Sequence, residues 1–400
     1  MDREVYGLPL DGVQSFNRSV LGAIYDLGVC SRKDISVRTG LDQATVTRAL
    51  APLIEAELVE EFGFSKGVRG RRTISLRLSA RRYRVIAVRL KRRSFVVALF
   101  DLRGGILSAE DVPIDAGQDP GQTFEQITCK VSACLDRSEG QVLGIGIALP
   151  GPFMQSDERI ILMTESPEWQ TFDLVHALRG RFADIPVFSG HDAKVAALTV
   201  WRDTAVAIGA RVMLYVLIGQ GVGSAIVIDG QVFQGSTGLA GELGHTSIDM
   251  HGPRCKCGNR GCLELYASTL ALLRQARDGI RDGATTILTE AASIGDLSAT
   301  YRDGDPLAVA IGRRLATHLA QSLANSINFL NPDLIVLGEE AVGFGEGLLD
   351  DIRSELRDIV LPAILEKIKI ISFGIDGDIA VVGSYLNVLQ QSFIPKRSYA

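Results

Sequence analysis

The sequence predicts an α/β protein in two parts, with a small helical module ahead of a larger body whose two halves resemble each other. Three observations lead there. At 400 residues the chain is too long for one ordinary core and suits a small domain plus a two-lobed one. The first eighty residues read as short amphipathic helices followed by two β-prone runs. From Arg84 onward strands alternate with helices, and the alternation occurs twice, as an α/β architecture with repeated halves requires.

Composition narrows the class. With 46% hydrophobic and 22% charged residues there is ample apolar material for a core and no low-complexity tract. No apolar run approaches the roughly 18 residues of a membrane span, and the opening MDREVYGLPLDG lacks the pattern of a signal peptide, so a cytoplasmic protein without a membrane partner is expected. The net charge of −5 is unevenly spread: Lys+Arg number 13 against 10 Asp+Glu up to Arg82, and 29 against 37 beyond it. No acidic residue occurs between Glu61 and Asp101, a stretch that includes Lys66, Arg69, Arg71, Arg72 and Lys91 to Arg93. Such a local field attracts phosphates.

In the N-terminal eighty residues, Val20, Leu21, Ile24 and Leu27 share one helical face, and Gly28 stops that helix. Ser31 to Asp34 has the form of a capping box for a second helix ending near Thr39. Gly40-Leu41-Asp42 supplies a turn and the cap of a third helix, QATVTRALAPLIEAEL, which buries Val46, Leu50 and Leu53 and turns Gln43, Thr45, Thr47 and Arg48 outward. Two β-prone runs joined by a Gly- and Arg-rich loop follow. This is the order of a winged helix-turn-helix, which makes double-stranded DNA the expected partner. Gln43, Thr45, Thr47 and Arg48 are the candidate groove readers, with Arg69, Arg71 and Arg72 on the wing against the backbone.

In the body, RVIAVRL, FVVALFDL, a helix around Phe124 to Leu135 and VLGIGIALPG form a first block. VMLYVLIGQGVGSAIVIDGQVFQG, several helices and LIVLGEE form the second, and a cleft between such halves is the natural ligand site. Of the six cysteines, Cys255, Cys257 and Cys262 lie within eight residues, which suits a metal, whereas Cys30, Cys129 and Cys134 read as buried small hydrophobes.

The segments GIGIALPGPF (Gly144 to Phe153), HDAKVAAL (His191 to Leu198), GLAGELGH (Gly238 to His245), CKCGNRGCLELYAS (Cys255 to Ser268) and PDLIVLGEE (Pro332 to Glu340) together resemble the signatures of the ROK family of repressors, open reading frames and sugar kinases. The resemblance spans nearly the whole chain, since the family's repressor branch also begins with a winged helix-turn-helix. It implies a winged module in residues 1–80 and, in 81–400, a two-lobed actin-like ATPase (ribonuclease H-like) body. Lobe one would take about 81–190 plus a C-terminal helix near 381–395, and lobe two about 191–380. A sugar-modulated transcriptional repressor acting as a homodimer or homotetramer is the implied function, with an active sugar kinase or a regulator controlled by a protein partner as alternatives.

Spacing supplies the three thiolates of a metal set, and the family pattern chooses its fourth ligand. CxCxxxxC brings the thiolates of Cys255, Cys257 and Cys262 onto one loop, and His245 ten residues earlier is a candidate to complete a tetrahedral set with them. His251 competes for the fourth place; the family pattern favours His245. Four protein ligands leave no open position, so the expected ion is a structural Zn²⁺. For the sugar, the resemblance carries over onto His191, Asp192, Glu242, His245 and Glu264, groups that pair with hydroxyls, with Asp192 at the place of the kinases' catalytic base. His191 and Lys194 stand where the family usually has Asn; both facing the pocket would suit a phosphorylated or acidic sugar.

Catalysis is not expected. In the register of the family's DxGxT-type phosphate turn the chain reads Arg89-Leu90-Lys91-Arg92-Arg93-Ser94. The kinases' LGTGIGGG is IGQGVGSA here (Ile218 to Ala225), and a glycine-rich adenosine segment is replaced by Glu339-Glu340.

Overall fold

The computed structural model describes residues 15–66, 72–115, 117–163 and 166–393. The chain forms two compact units: the described residues up to Leu149 with Glu168–Gly190 and those from Val381, and Pro150–Pro167 with His191–Ala380.

The first unit opens with α1 (Ser15–Leu27), whose Val20, Leu21 and Ile24 are fully buried. Gly28, at φ 70°, ends it. Leu27, expected on the buried face, is 41% exposed because it is the last helical residue, where the chain turns away toward β1 (Cys30–Ser31). The capping box forms as the sequence predicts: Ser31 Oγ accepts from the Asp34 amide at the head of α2 (Arg32–Thr39), and Asp34 Oδ2 accepts from the Ser31 amide at 2.8 Å. Gly40 takes the left-handed turn at φ 72°, and Asp42 caps α3 (Gln43–Glu55) through the Thr45 amide at 2.9 Å. Val46, Ala49, Leu50 and Leu53 bury the inner face of α3, each large side chain contributing about 1.5–3 kcal/mol.

A small antiparallel sheet completes the module in the order β1, β3 (Arg72–Leu78), β2 (Val59–Lys66), with a register irregularity between Glu61 and Phe64. Glu60 on β2 accepts from Arg77 Nε at 2.7 Å and lies 3.7 Å from Arg81 and 4.0 Å from Arg103.

The larger sheet of this unit is built from β4 (Tyr83–Leu90), β5 (Ser94–Asp101), β6 (Ile106–Pro113) and, after α4 (Pro120–Arg137), β7 (Gln141–Leu149). The chain then leaves for the second unit through a short hairpin, β8 (Phe153–Met154) with β9 (Arg159–Ile160), and returns for α5 (Leu174–Arg181) and β10 (Val187–His191). The strand order is β10-β7-β4-β5-β6. Strand β6 carries no alternating pattern, because it is an edge strand exposed along most of its length. Cys129 on α4 is exposed, against expectation, because it points away from the sheet; Cys30 and Cys134 are buried as expected. The basic run is partly internal, with Arg84 and Arg89 buried in β4. Arg84 Nη1 donates to the Ala80 and Tyr83 carbonyls.

The second unit repeats this sheet plan. Its helix α6 (Asp192–Val200) continues through a π-helical turn (Trp201–Ala205) into α7 (Val206–Ile208). Then come β11 (Val212–Ile218), β12 (Val222–Ile228) and β13 (Gln231–Val232), an antiparallel meander like β4-β5-β6. Helices α8 (Glu264–Ala267), α9 (Thr269–Arg281), α10 (Ile294–Arg302) and α11 (Pro306–Leu330) lead to β14 (Leu334–Glu339), parallel to β11 as β7 is to β4. Next are α12 (Glu346–Ile359), α13 (Pro362–Leu365) and β15 (Lys369–Ser372), giving the order β13-β12-β11-β14-β15. The core joins one face of this sheet, Leu214, Val216, Ile335 and Leu337, to Leu315, Leu319 and Leu323 of α11 and Ile352 and Leu356 of α12.

The last helix, α14 (Ile379–Phe393), begins in the second unit and returns the chain to the first. There Tyr385 stacks on Phe100 at 4.8 Å and donates its hydroxyl to the Leu102 carbonyl at 2.8 Å.

Candidate functional site

The candidate DNA-reading surface is the first turns of α3. Gln43, Thr47 and Arg48 are exposed. Thr45 is half-buried and belongs to the cap: its Oγ1 donates to Asp42 Oδ2 at 2.7 Å and accepts from Arg48 Nη2 at 3.1 Å. Thr47 Oγ1 donates to the Gln43 carbonyl at 2.8 Å, so Gln43 and Arg48 are the longer polar groups left on that face. The hydrogen bonds from Thr45 hold the Asp42 carboxyl below its ordinary range. Arg69 and Arg71 lie outside the described residues, as does the side chain of Arg72, whose backbone begins β3.

In the second unit, one ligand atom each from His245, Cys255, Cys257 and Cys262 all lie within 4.8 Å of one another, a group that could hold a metal ion. Cys257 Sγ is 3.6 Å from Cys262 Sγ, and Cys255 Sγ is 3.8 Å from His245 Nδ1. Two sulfurs on one tetrahedral ion with bonds of about 2.3 Å stand about 3.8 Å apart, so the spacing fits zinc-type coordination. The loop is shaped by its own backbone, with the Cys255 amide donating to the Asn259 carbonyl and the Gly258 amide to the Cys255 carbonyl. His251 is outside the group; it is exposed, and its amide donates to Asp249 Oδ1.

The candidate sugar residues sit on three elements of the same unit. His191 and Asp192 open α6, their Nε2 and Oδ1 atoms 3.6 Å apart. His191 is 4% exposed and its Nδ1 is buried without a hydrogen-bond partner. Its ring packs so closely over Gly151 that a Cβ there would collide with it. Glu242 precedes the short 3-10 turn Leu243–His245, whose His245 amide donates to the Glu242 carbonyl. Glu264 heads α8, two residues past Cys262, and its Oε2 accepts from the Val222 amide on β12 at 3.0 Å.

Lys194, in the first turn of α6, is 3% exposed. Its Nζ donates to the Gly238 carbonyl in a short contact and reaches Gln234 Oε1 at 3.4 Å. Burial pushes its pKa down, and Glu242 opposes that shift. The role of the 234–241 loop escaped the sequence reading, although three left-handed glycines in seven residues, Gly235, Gly238 and Gly241, mark a tightly folded segment.

Among the described residues no helix is long and apolar enough to cross a membrane. The ROK family profile matches residues 85–389. A putative xylose repressor from Caldicellulosiruptor sp. (strain Rt8B.4) is 28% identical over 84% of this chain and 85% of its own length. The DNA-binding transcriptional dual regulator NagC of Escherichia coli (strain K12) is 28% identical over 92% and 91%. Among solved structures, a ROK family transcriptional regulator described as a homolog of the E. coli Mlc protein superposes with a TM-score of 0.79 at 27% identity, covering 95% of this chain and 98% of its own. The ROK hexokinase from Thermus thermophilus superposes with a TM-score of 0.62 at 25% identity over 76% of this chain and 97% of its own. A profile match over three-quarters of the residues, on a body whose two sheets repeat one plan, settles the family: the chain belongs to the ROK family.

Proposed function

We propose that this chain is a sugar-responsive transcriptional repressor, with a winged helix-turn-helix in residues 1–80 and a sugar-binding ROK body in 81–400. The observation that carries this reading is the module ahead of the family match. The match begins at Val85, and in front of it stand three helices and a three-stranded sheet whose α3 presents Gln43, Thr47 and Arg48 to solvent. A helix so capped and charged at its start suits a major groove, with a dimer or tetramer reading paired half-sites. The relatives named as a putative xylose repressor and as a transcriptional dual regulator align along most of the chain, in keeping with a regulator rather than an enzyme.

In the body, Asp192, Glu242, Glu264 and His191 form the sugar set, and carboxylates and imidazoles suit adjacent hydroxyls. His245 serves twice, with Nδ1 turned to Cys255 and the metal and Nε2 on its other edge for the sugar. Zinc held by His245, Cys255, Cys257 and Cys262 would supply four short bonds that close a loop with no core of its own. Kinase chemistry is absent in this reading because the phosphate-binding segments are lost. Arg89 and Leu90 end β4, and Lys91 to Ser94 form a tight turn closed by the Lys91 amide on the Ser94 carbonyl at 2.8 Å. Glu339 sits at φ 58°, ψ −131°, a backbone conformation that favours glycine, with a carboxylate where a nucleotide would need open space.

The test is to select operator DNA from a random pool with the full protein, then titrate sugars and ATP against the complex. A sugar that shifts operator affinity without ATP-dependent phosphorylation is expected. By linkage, that sugar must bind with altered affinity when operator is present; equal affinity in both states would defeat the coupling.

A further inference from the structure

An ammonium buried among protein atoms is costly unless its protons are taken up by acceptors. Lys194 meets that condition within the chain itself. Its Nζ donates to the Gly238 carbonyl and to Gln234 Oε1, two acceptors on one loop. The same loop is held at other points: the Ser156 amide donates to the Thr237 carbonyl at 3.3 Å, the Ala240 amide to the Gln234 carbonyl at 3.2 Å, and Ser224 Oγ to the Gly241 carbonyl at 2.5 Å. A Cβ at Gly238 would collide with Gln155, so the carbonyl that receives Lys194 has little room to move. The loop ends in Glu242, and Lys194 lies two residues beyond Asp192, so the ammonium ties the segment bearing one candidate sugar carboxylate to the helix bearing another.

The charges around it follow. Asp192, Glu242 and Glu264 place three carboxylates in the candidate sugar set against one ammonium that faces protein acceptors and is 3% exposed. Glu264 already accepts from the Val222 amide through Oε2, which fixes its position but leaves its charge.

We propose that Lys194 is a positioning residue that clamps the Glu242 loop onto the Asp192 helix, and that with this cation withdrawn from the ligand the site selects an uncharged polyol over a sugar phosphate or sugar acid. The proposal rests on reading these residues as the sugar site. It reverses what the bare sequence suggested for Lys194, an anion receptor.

Thermal unfolding of the full protein, measured with D-xylose, D-glucose, N-acetyl-D-glucosamine, glucuronic acid and the 6-phosphates of the two hexoses, tests it, since a ligand bound only to the folded state raises the midpoint. At least one neutral sugar is expected to raise the midpoint. Charged derivatives should bind at least about tenfold more weakly, because like charges brought together oppose binding. Lys194→Met should abolish most of the sugar-induced shift, while Lys194→Gln, which keeps a donor toward Gly238, should restore part of it; a merely structural lysine would lower the midpoint in both variants without separating their sugar responses. A 6-phosphate that binds wild type more tightly than its parent sugar, with that advantage lost in Lys194→Met, would overturn the proposal and leave the sensing function intact. Silence across the whole panel would overturn the sensing function itself. The wild-type panel decides the ligand class even if a variant fails to fold.

Discussion

The cysteine loop and the proposed sugar carboxylates belong to the same unit, yet the chain supplies them in opposite ways. The loop draws three of its four ligand atoms from Cys255 to Cys262, on a run closed by its own backbone hydrogen bonds. The proposed sugar carboxylates stand at the head of α6, in the turn after the 234–241 loop and at the head of α8, where Glu264 accepts from β12 and Lys194 donates to the Gly238 carbonyl. A local set of thiols needs an ion to hold it, whereas a dispersed set of carboxylates needs a scaffold. The two meet at Glu264, two residues past Cys262, and at His245, three past Glu242. On the proposed assignments, the cysteine loop should therefore govern the carboxylates more than they govern the loop.

The largest effect is expected on breaking the loop. Cys262→Ser, or prolonged chelation, should lower the unfolding midpoint by more than about 10 °C, since a structural zinc contributes several kcal/mol and each is worth about 2–4 °C in a body of this size. The sugar response should vanish with it. A variant that keeps its full sugar shift after losing its metal, measured by elemental analysis, would show that the two regions are independent. Asp192→Ala tests the other direction: sugar affinity should fall by about 1.5–3 kcal/mol, the worth of a hydrogen bond to a charged group, with metal content unchanged. Loss of metal in that variant would erase the distinction between the two regions.

Arg48→Ala, far from both in sequence, should weaken operator binding by about 1–3 kcal/mol if it reads a base and leave the sugar-induced thermal shift as it was. The smallest effect concerns the caps. Hydrogen bonds from Ser31 hold Asp34 below its ordinary range and those from Thr45 do the same for Asp42. Their folded values are depressed, so the stability they contribute is complete above the ordinary carboxylate range near 3.8 and is lost as the pH falls toward the folded values. Acid titration should therefore melt helices α1 to α3 with less cooperativity in Asp42→Asn than in wild type; identical acid transitions would count against the cap at α3.

What could be read from residue order alone follows the same division. The caps at Ser31 and Asp42, the left-handed Gly40 and the cysteine spacing are relations among residues within a few positions, and all appear where the pattern put them. The edge strand β6 was invisible because its exposed residues carry no alternation. Lys194 was visible as a residue and misleading as a charge, since nothing in the order of residues shows that a carbonyl 44 positions away would meet its ammonium. Residue type points Cys129 and helical periodicity points Leu27 toward the core, but Cys129 is exposed on α4 and Leu27 is exposed where α1 ends.

The path of α14 sets a timetable for synthesis. The first unit holds Tyr385, Ser384, Val388 and Leu389 among its buried residues, although most of that unit lies before Leu149. A ribosome adding about 5–20 residues per second must therefore make the whole of 191–380 before the first unit can close on its last helix. Residues 15–78 have their own small core and need not wait. The part of the chain proposed to grip DNA can thus be folded for many seconds before the part proposed to answer to sugar exists, and a message broken after Ala380 would leave that N-terminal part on a first unit lacking its last helix.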